Sequence, residues 1–481
     1  MDNSKKRGAL RRGGTKSATR GRMFRIWAGA AQKLEGMYVR VVSDPGQDEG
    51  PAEDGEATVQ GADAGPLVGG LAEVGERLRA ARALLDRPLT SYYLIAGITT
   101  LLLGLGLVMV LSTGSVADLQ QGESPYHDFE LQLAGIVAGV PVMWLLARAQ
   151  PRLFRAMAYP LLAVAVLGLC LTLIPGVGQS QGVNTTRWIA VGSLTVQPSE
   201  LAKLALAVWG ADLLARKEKL GMLTDFRHML VPLLPGAGVL ALLVMAGDDL
   251  GTTFILVMIL LALLWIGGLP GRVFTVMLIL MGMVLLLLVV TKGYRAERLM
   301  EFWSPSNTNP MGVNQQPIQG KYALGSGGVF GVGLGASREK WGYLPDSTSD
   351  MIFAILGEEF GLVGTLCVTA LYGGLAYAGL RVARRVPDTF SRLLAAAITA
   401  WIVVQALVNV GGVIGVLPIT GVPLPLVSRG LSSVLVTMVG LGMLMSFARR
   451  EPGASQALAA RGPGAGARVL SWLGRRTSHG T

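Results

Sequence analysis

Ten long apolar runs separated by polar segments dominate the chain between residues 91 and 448. A helix of about 20 apolar residues crosses the hydrocarbon core of a bilayer, and each run approaches or exceeds that length. The pattern therefore predicts an all-α integral membrane protein with about ten transmembrane helices. The runs are 91–112, 130–147, 155–175, 198–214, 229–246, 251–268, 272–291, 351–380, 393–412 and 431–448.

Composition agrees with a membrane protein and argues against several other classes. Hydrophobic residues make up 51% of the 481 residues and charged residues 15%, whereas soluble domains carry about 25% charged residues. The net charge of +11 is spread over short loops and an N-terminal arm, so we expect no nucleic-acid partner. Two cysteines inside apolar runs and three scattered histidines support neither a disulfide framework nor a zinc site.

Lys and Arg alternate from one loop to the next. Loops 148–154, 215–228 and 381–392 are basic, whereas loops 113–129, 176–197 and 247–250 hold one Lys or Arg at most. Because cytoplasmic loops carry an excess of positive charge, this alternation predicts an even number of spans and two cytoplasmic termini. The segment 292–350 then forms a large extracellular loop between helices 7 and 8. Its own Lys and Arg residues break the charge rule, which suggests an anionic substrate.

The regions that flank the membrane domain, 91–450, have a different composition. Residues 1–90 begin with a basic arm followed by an acidic stretch, which is typical of disorder in a cytoplasmic extension. Within this extension, residues 71–87 fit either an amphipathic helix on the inner leaflet or a solvated linker helix. Residues 451–481 are predicted to be a cytoplasmic tail.

Asp350 stands where the extracellular loop meets the eighth apolar run. A partly desolvated carboxylate at such a junction suits a general base, although a carboxylate at a helix start can equally be an N-cap. Glu358 lies two turns further on, inside the span, where acids are usually functional or paired.

The stretch 320–335 before Asp350 is rich in glycine. Glycines expose backbone N–H groups that can bind phosphate oxygens, and Lys321, Arg338 and Lys340 add positive charge. A flexible loop is the alternative interpretation.

Three further segments carry candidate residues. Glu200 and Lys203 share one face of the fourth span, where an ion pair can bind substrate or be purely structural. Arg187 and Trp188 lie at the outer interface, where a Trp can also be a simple membrane anchor. The segment 417–428 is apolar but rich in proline, so we expect it to line a cavity or to be buried without helical structure.

These segments resemble the SEDS family, which includes FtsW, RodA and SpoVE, and they resemble FtsW most closely. The resemblance covers residues 91 to 450 and implies a ten-helix SEDS fold. The matching stretches, in family order, are 197–203, 249–252, 323–328, 338–345, 350–359 and 417–428.

The resemblance also implies a function. SEDS proteins are peptidoglycan glycosyltransferases that polymerise lipid II on the outer face of the bacterial cytoplasmic membrane. The expected partners are a class B penicillin-binding protein, which is a transpeptidase, and other divisome membrane proteins. The stretch 341–345 favours a role in cell division at the septum.

Asp350 matches the essential extracellular carboxylate of the family and would act as general base. Positively charged residues would stabilise the polyprenyl-diphosphate leaving group of the growing glycan, with a divalent cation (Mg²⁺ or Mn²⁺) as a candidate addition whose ligands the sequence does not identify. The predicted substrate-binding residues are Arg187, Trp188, Glu200, Lys203, Lys321, Arg338, Lys340, Trp341, Glu358 and Ser428.

One segment departs from the family. Arg429 and Leu431 stand where the family usually has Tyr and Gly, which leaves elongation or sporulation open beside division. Two other functions also remain as alternatives, a lipid II flippase and a non-catalytic scaffold. A flippase needs charged groups through the membrane, whereas charge here is concentrated on one outer face. A scaffold would tolerate the loss of Asp350.

Overall fold

The computed structural model of the chain describes residues 87–180, 186–192, 194–222, 226–291 and 315–460, with isolated residues at 293, 296 and 299. The basic arm and acidic stretch of the N-terminal region lie outside the described residues. So does the predicted amphipathic helix, except for Arg87, and so do the last 21 residues of the tail.

All ten predicted spans lie in the described part of the chain, and each falls on helix. Among the described residues, seven helices are long and apolar enough to cross a membrane, and two shorter apolar helices span Ala158–Thr172 and Leu250–Ile266. The prediction of an all-α, multi-pass membrane protein is therefore confirmed. The helices are α1 Thr90–Gln120, α2 His127–Leu146, α3 Pro151–Ala156, α4 Ala158–Thr172, α5 Pro198–Lys219, α6 Phe226–Ala246, α7 Leu250–Ile266, α8 Gly271–Val290, α9 Gln315–Gly327, α10 Ile352–Arg385, α11 Thr389–Val413, α12 Leu431–Ala448 and α13 Ala454–Ala460.

The loops gather at two ends of the helical bundle, in the alternating order that their charges predict. Side-chain contacts join the loops predicted to lie outside, at what we call the Asp350 end: Lys340–Ser112, Arg187–Asp249 and Arg429–Asp128. Other contacts join the basic loops at the opposite end: Arg155–Asp388, Arg392–Glu218 and Arg381–Glu451. Which end faces the cytoplasm stays a prediction.

Helix α11 is central, since it packs against α5, α7 and α10. About 72% of its apolar window is buried, compared with 6% for α8 at the periphery. Polar side chains on α11 are therefore held by neighbours on several sides.

A small antiparallel sheet lies at the Asp350 end, in a segment that the sequence predicts only as a loop. Its strands are β1 Gly178–Ser180, β2 Thr186–Val191 and β3 Leu194–Val196, in the order β1-β2-β3. Two of the three strands have only three residues, which is too short for an alternating pattern to reveal them.

Helix α10 is broken at Gly361, where φ is 67° and ψ is −162°. Both sides of the break bond to the Gly-rich segment 328–333. The N–H groups of Val332 and Gly333 donate to the Glu358 and Glu359 carbonyls, and the N–H groups of Leu362 and Val363 donate to the Gly328 and Val329 carbonyls, over 2.9–3.2 Å. This segment is therefore docked on α10, which argues against the flexible-loop interpretation of its glycines.

Candidate active site around Asp350

Asp350 lies one residue before the N-cap of α10. The N-cap is Met351, and its side chain makes no capping hydrogen bond. The N-cap position is thus occupied by Met351 rather than by Asp350. Helix α9 packs beside the junction, because a Cβ on Gly320 would lie 2.6 Å from the Met351 side chain.

Asn409 on α11 fixes the backbone at Asp350. Its Nδ2 donates to the Asp350 carbonyl over 2.7 Å and to the Val422 carbonyl over 2.8 Å. Its Oδ1 is buried and makes no hydrogen bond. Asn409 thus joins the start of α10 to the Pro-rich segment and still offers an acceptor.

The Asp350 side chain lies against Gly421. Gly421 has φ +72°, and a Cβ placed there would lie 3.4 Å from Asp350 Oδ2. These residues and Asn409 line a narrow cleft, which Thr420 and Val422 complete. A carboxylate, a hydroxyl and an amide oxygen are thus gathered where a polar substrate group can enter.

The Pro-rich segment 417–428 is non-helical, and much of it is buried, as its sequence predicts. Its carbonyls are held by side chains of the bundle. Gln405 Nε2 donates to the Pro423 carbonyl over 2.9 Å, and the Tyr372 hydroxyl donates to the Pro425 carbonyl. Because non-helical backbone inside a membrane must satisfy its polar groups, these bonds hold Gly421 in place beside Asp350.

Ser428 closes the same segment. Its Oγ donates to the Ser349 carbonyl over 2.6 Å and accepts from the Leu424 N–H over 2.8 Å. The hydroxyl thereby ties the Pro-rich segment to the residue next to Asp350. Its substrate contact stays a prediction.

Glu200 and Lys203 form a buried ion pair, with each side chain 1% exposed and Lys203 Nζ 2.7 Å from Glu200 Oε1. Lys203 also donates to Gln405 Oε1 over 2.9 Å, and the same oxygen accepts from Trp401 Nε1. The pair therefore supports the amide that holds Pro423. This geometry favours positioning, and direct contact with substrate stays a prediction.

Arg187 and Trp188 lie on β2. The guanidinium of Arg187 donates to the Asp248 carbonyl over 2.6 Å and lies 3.9 Å from Asp249 Oδ1. Asp249 in turn caps α7 by accepting from the Thr252 N–H. Trp188 is half-buried and pairs with Gln179 of β1. Arg187 therefore already holds the turn before α7, although a quarter of its side chain is exposed.

The candidate cations of the predicted extracellular loop divide into two groups. Lys340 is 6% exposed, and its Nζ contacts Glu359 Oε1 at 3.2 Å and the Ser112 hydroxyl at 3.0 Å. Lys321 and Arg338 are exposed. Lys321 and Arg338 are therefore better placed than Lys340 to bind a diphosphate.

Glu358 organises the turn that carries Arg338. Its carboxylate accepts from the Ser337 hydroxyl and from the Arg338 N–H over 3.0 Å. Burial raises the pKa of the neighbouring Glu339, and the charge of Glu358 adds to that rise.

Trp341 ends the short 3₁₀ helix Glu339–Trp341 and is 59% exposed. The Trp341 ring is thus available to a substrate, whereas the Glu358 carboxylate holds the turn that carries Arg338.

Asn409 and Gln405 were not predicted as functional residues. Both are amides inside the apolar run 393–412, and polar groups within a span are usually paired or functional. That signal in the sequence could have identified them.

Arg429 and Leu431, the two departures from the family motif, each have a partner on or beside α2. Arg429 Nη1 lies 2.7 Å from Asp128 Oδ2, and the Asp128 side chain is 1% exposed. Leu431 packs on Gly135, where an added Cβ would lie 2.3 Å from Leu431 Cδ1. The changes are thus accommodated in the contact between α2 and α12.

We expect Arg429→Tyr to lower the free energy of unfolding by about 2 kcal/mol, because it leaves Asp128 as an uncompensated buried charge. This loss of stability is smaller than the loss expected when a fully buried ion pair is broken, because Arg429 is partly exposed. Thermal unfolding of the detergent-purified protein measures it. The matched double variant Asp128→Asn/Arg429→Tyr should regain most of the loss, whereas a single variant as stable as wild type would contradict the role of the pair.

No group of three or more His, Cys, Asp or Glu side chains suited to a metal ion occurs among the described residues. The divalent cation therefore stays a prediction.

Comparisons with known proteins agree with the resemblance found in the sequence. Residues 92–452 match the model of the FtsW/RodA/SpoVE family of cell cycle proteins. A probable peptidoglycan glycosyltransferase FtsW of Mycobacterium tuberculosis is 42% identical over 79% of this chain and 71% of that protein. Stage V sporulation protein E of Bacillus subtilis is 36% identical over 74% of this chain and 96% of its own.

Two solved structures share the fold. A chain from a peptidoglycan synthase complex that coordinates polymerization and crosslinking has a TM-score of 0.58 and 25% identity, over 76% of this chain and 98% of that one. The rod shape determining protein RodA of Thermus thermophilus has a TM-score of 0.52 and 26% identity, over 76% of this chain and 98% of its own.

Proposed function

Because the chain belongs to the FtsW/RodA/SpoVE family, we propose that it is a peptidoglycan glycosyltransferase that polymerises lipid II into glycan strands. The observation that carries the proposal is the cleft in which Asp350 lies beside Gly421 and Asn409. It places the Asp350 carboxylate in a cleft at the end of a membrane bundle, where a lipid-linked substrate can arrive.

In the proposed reaction Asp350 accepts the proton of the GlcNAc 4-hydroxyl of lipid II. The oxygen attacks the anomeric carbon of the growing glycan, the bond to the polyprenyl diphosphate breaks, and the configuration inverts. Exposed Lys321 and Arg338, together with Arg187, would stabilise the negative charge that develops on the diphosphate. Asn409 would orient Asp350 through its backbone, and its Oδ1 can accept from a sugar hydroxyl.

A divalent cation would add positive charge at the leaving group. Mg²⁺ commonly binds through substrate phosphates with one or two carboxylates, so the diphosphate oxygens would supply most of its ligands. Titration of activity against added Mg²⁺ or Mn²⁺ tests this part of the proposal.

The proposed partner is a class B penicillin-binding protein, with other divisome membrane proteins around it. Similarity to a chain of a peptidoglycan synthase complex supports such a partner. Similarity to FtsW proteins supports a place at the division septum, with both termini in the cytoplasm and the Asp350 end outside.

The decisive experiment is polymerisation of fluorescent lipid II by the purified protein in detergent, with its partner present and the partner's transpeptidase blocked. Detergent removes the two compartments that a flippase needs, so only a polymerase gives glycan ladders. Ladders that require this chain support the proposal. Their absence from an assembled complex would favour the flippase or the scaffold.

A further inference from the structure

Two adjoining cavities open at the end of the bundle opposite Asp350. The larger, about 1070 Å³ and open to solvent, is lined by Arg152, Arg155 and Arg450, with Asp388 and Ser391. The smaller, about 540 Å³, shares Arg155 and is also lined by Asp212, Arg216 and Lys219. Together they form what we call the basic cavity, and neither touches the Asp350 cleft.

Only part of the positive charge in the basic cavity is neutralised. Asp388 pairs with Arg155 at 2.8 Å and also caps α11, and Asp212 pairs with Arg216 at 2.7 Å. Arg152, Lys219 and Arg450 have no carboxylate partner among the described residues. Arg450 contacts the Ala149 carbonyl at 3.4 Å. Three positive charges are therefore left for an anion.

The basic cavity lies at the level where helices begin and end. Helix α3 begins at Pro151, α11 begins at Thr389 and α12 ends at Ala448. Apolar side chains beside the arginines are exposed, with Leu153 at 48% and Tyr159 at 50%. Neither side chain is part of the cavity lining, but Arg216, which is, stacks on the Tyr159 ring at 5.6 Å. A ligand that places negative charge in the cavity can therefore lay apolar surface on these side chains.

We propose that the basic cavity binds the phosphate of an anionic phospholipid headgroup in the leaflet opposite the Asp350 end. Basic pockets between membrane helices bind such headgroups, and guanidinium groups match phosphate geometry with two parallel hydrogen bonds. A soluble phosphate shares this chemistry, but it would make no use of Leu153 and Tyr159. The proposal does not depend on the glycosyltransferase activity.

The test measures binding of fluorescent phosphatidylglycerol and phosphatidylcholine to the full-length protein in neutral detergent micelles. Wild type should prefer phosphatidylglycerol. The double variant Arg152→Gln/Arg450→Gln should weaken that binding about thirtyfold, from roughly 1 kcal/mol for each cation. A matched control, Arg272→Gln/Arg384→Gln, removes two exposed arginines that do not line the cavity and should change binding less than threefold.

Three results would overturn the proposal. Equal binding of the two lipids would show that the protein does not select the anionic headgroup. A control pair that loses as much binding as the Arg152/Arg450 pair would show that general surface charge, and not the cavity, attracts the lipid. Inorganic phosphate and unlabelled phosphatidylglycerol are also compared as competitors of the labelled lipid. If phosphate displaces the labelled lipid at as low a concentration as phosphatidylglycerol does, the cavity binds a soluble anion. Unfolding temperatures of all variants show whether they fold. If the Gln pair does not fold, the single variants Arg152→Gln and Arg450→Gln replace it, each with an expected loss of about fivefold.

Discussion

Asp350→Asn should slow lipid II polymerisation by about 10²–10⁴-fold, which is the usual contribution of a general base. The substitution keeps the size of the side chain and removes only its ability to accept the proton. The fold should survive, because Asn409 bonds to the backbone carbonyl of Asp350, which the substitution leaves in place, and the N-cap of α10 is Met351. Initial rates of ladder formation and thermal unfolding of the same preparation measure the two properties separately.

Asp346→Asn is the matched control. Asp346 lies in the same loop, is exposed, and accepts from Gln316 Nε2 over 2.7 Å. Its φ of 55° is one that Asn also adopts readily. We expect its rate within about threefold of wild type, as for most surface changes. An Asp350→Asn protein that polymerises at the control's rate would remove Asp350 from the mechanism.

Local sequence was enough to locate the spans and to single out Asp350 as a candidate. A span needs only an uninterrupted apolar run, and Asp350 stands at the boundary of one such run. The loop charges likewise predicted which loops gather at each end of the bundle. The number of Lys and Arg residues in a loop can be counted from that loop alone, without knowledge of its contacts.

Contacts between distant segments could not be predicted in the same way. Lys340 looked like a cation for the substrate, yet it pairs with Glu359 and Ser112. Its sequence neighbours give no sign that α1 supplies the hydroxyl. The break at Gly361 is equally hidden, since the groups that satisfy it come from the segment 328–333.

The glycines of that segment show how one pattern can have two physical causes. The sequence suggested phosphate binding or flexibility. In the structure a Cβ on Gly331 would lie 2.1 Å from the Glu359 carbonyl, and Gly331 has φ +82°. Close packing against α10 therefore explains this glycine without a ligand, while the neighbouring Lys321 and Arg338 keep the capacity to bind one.

Lys203→Met should lower the free energy of unfolding by about 3–5 kcal/mol, which is the cost of removing one partner of a buried ion pair. Glu200 would remain 1% exposed, with one carboxylate oxygen already lacking a hydrogen bond. Gln405 would also lose a donor to Oε1, which weakens its hold on Pro423 and on the Pro-rich segment beside Asp350. Thermal unfolding in detergent measures the loss of stability, and polymerisation rates measure its effect on the cleft.

The double variant Glu200→Gln/Lys203→Met separates positioning from substrate binding. It removes both charges, so most of the lost stability should return. The pair is buried, and within the described part of the chain its link to the cleft runs through Gln405. We therefore expect the double variant to polymerise within about tenfold of wild type. A double variant that folds as well as wild type, binds its partner and forms no ladders would instead establish the direct substrate role that the sequence predicts.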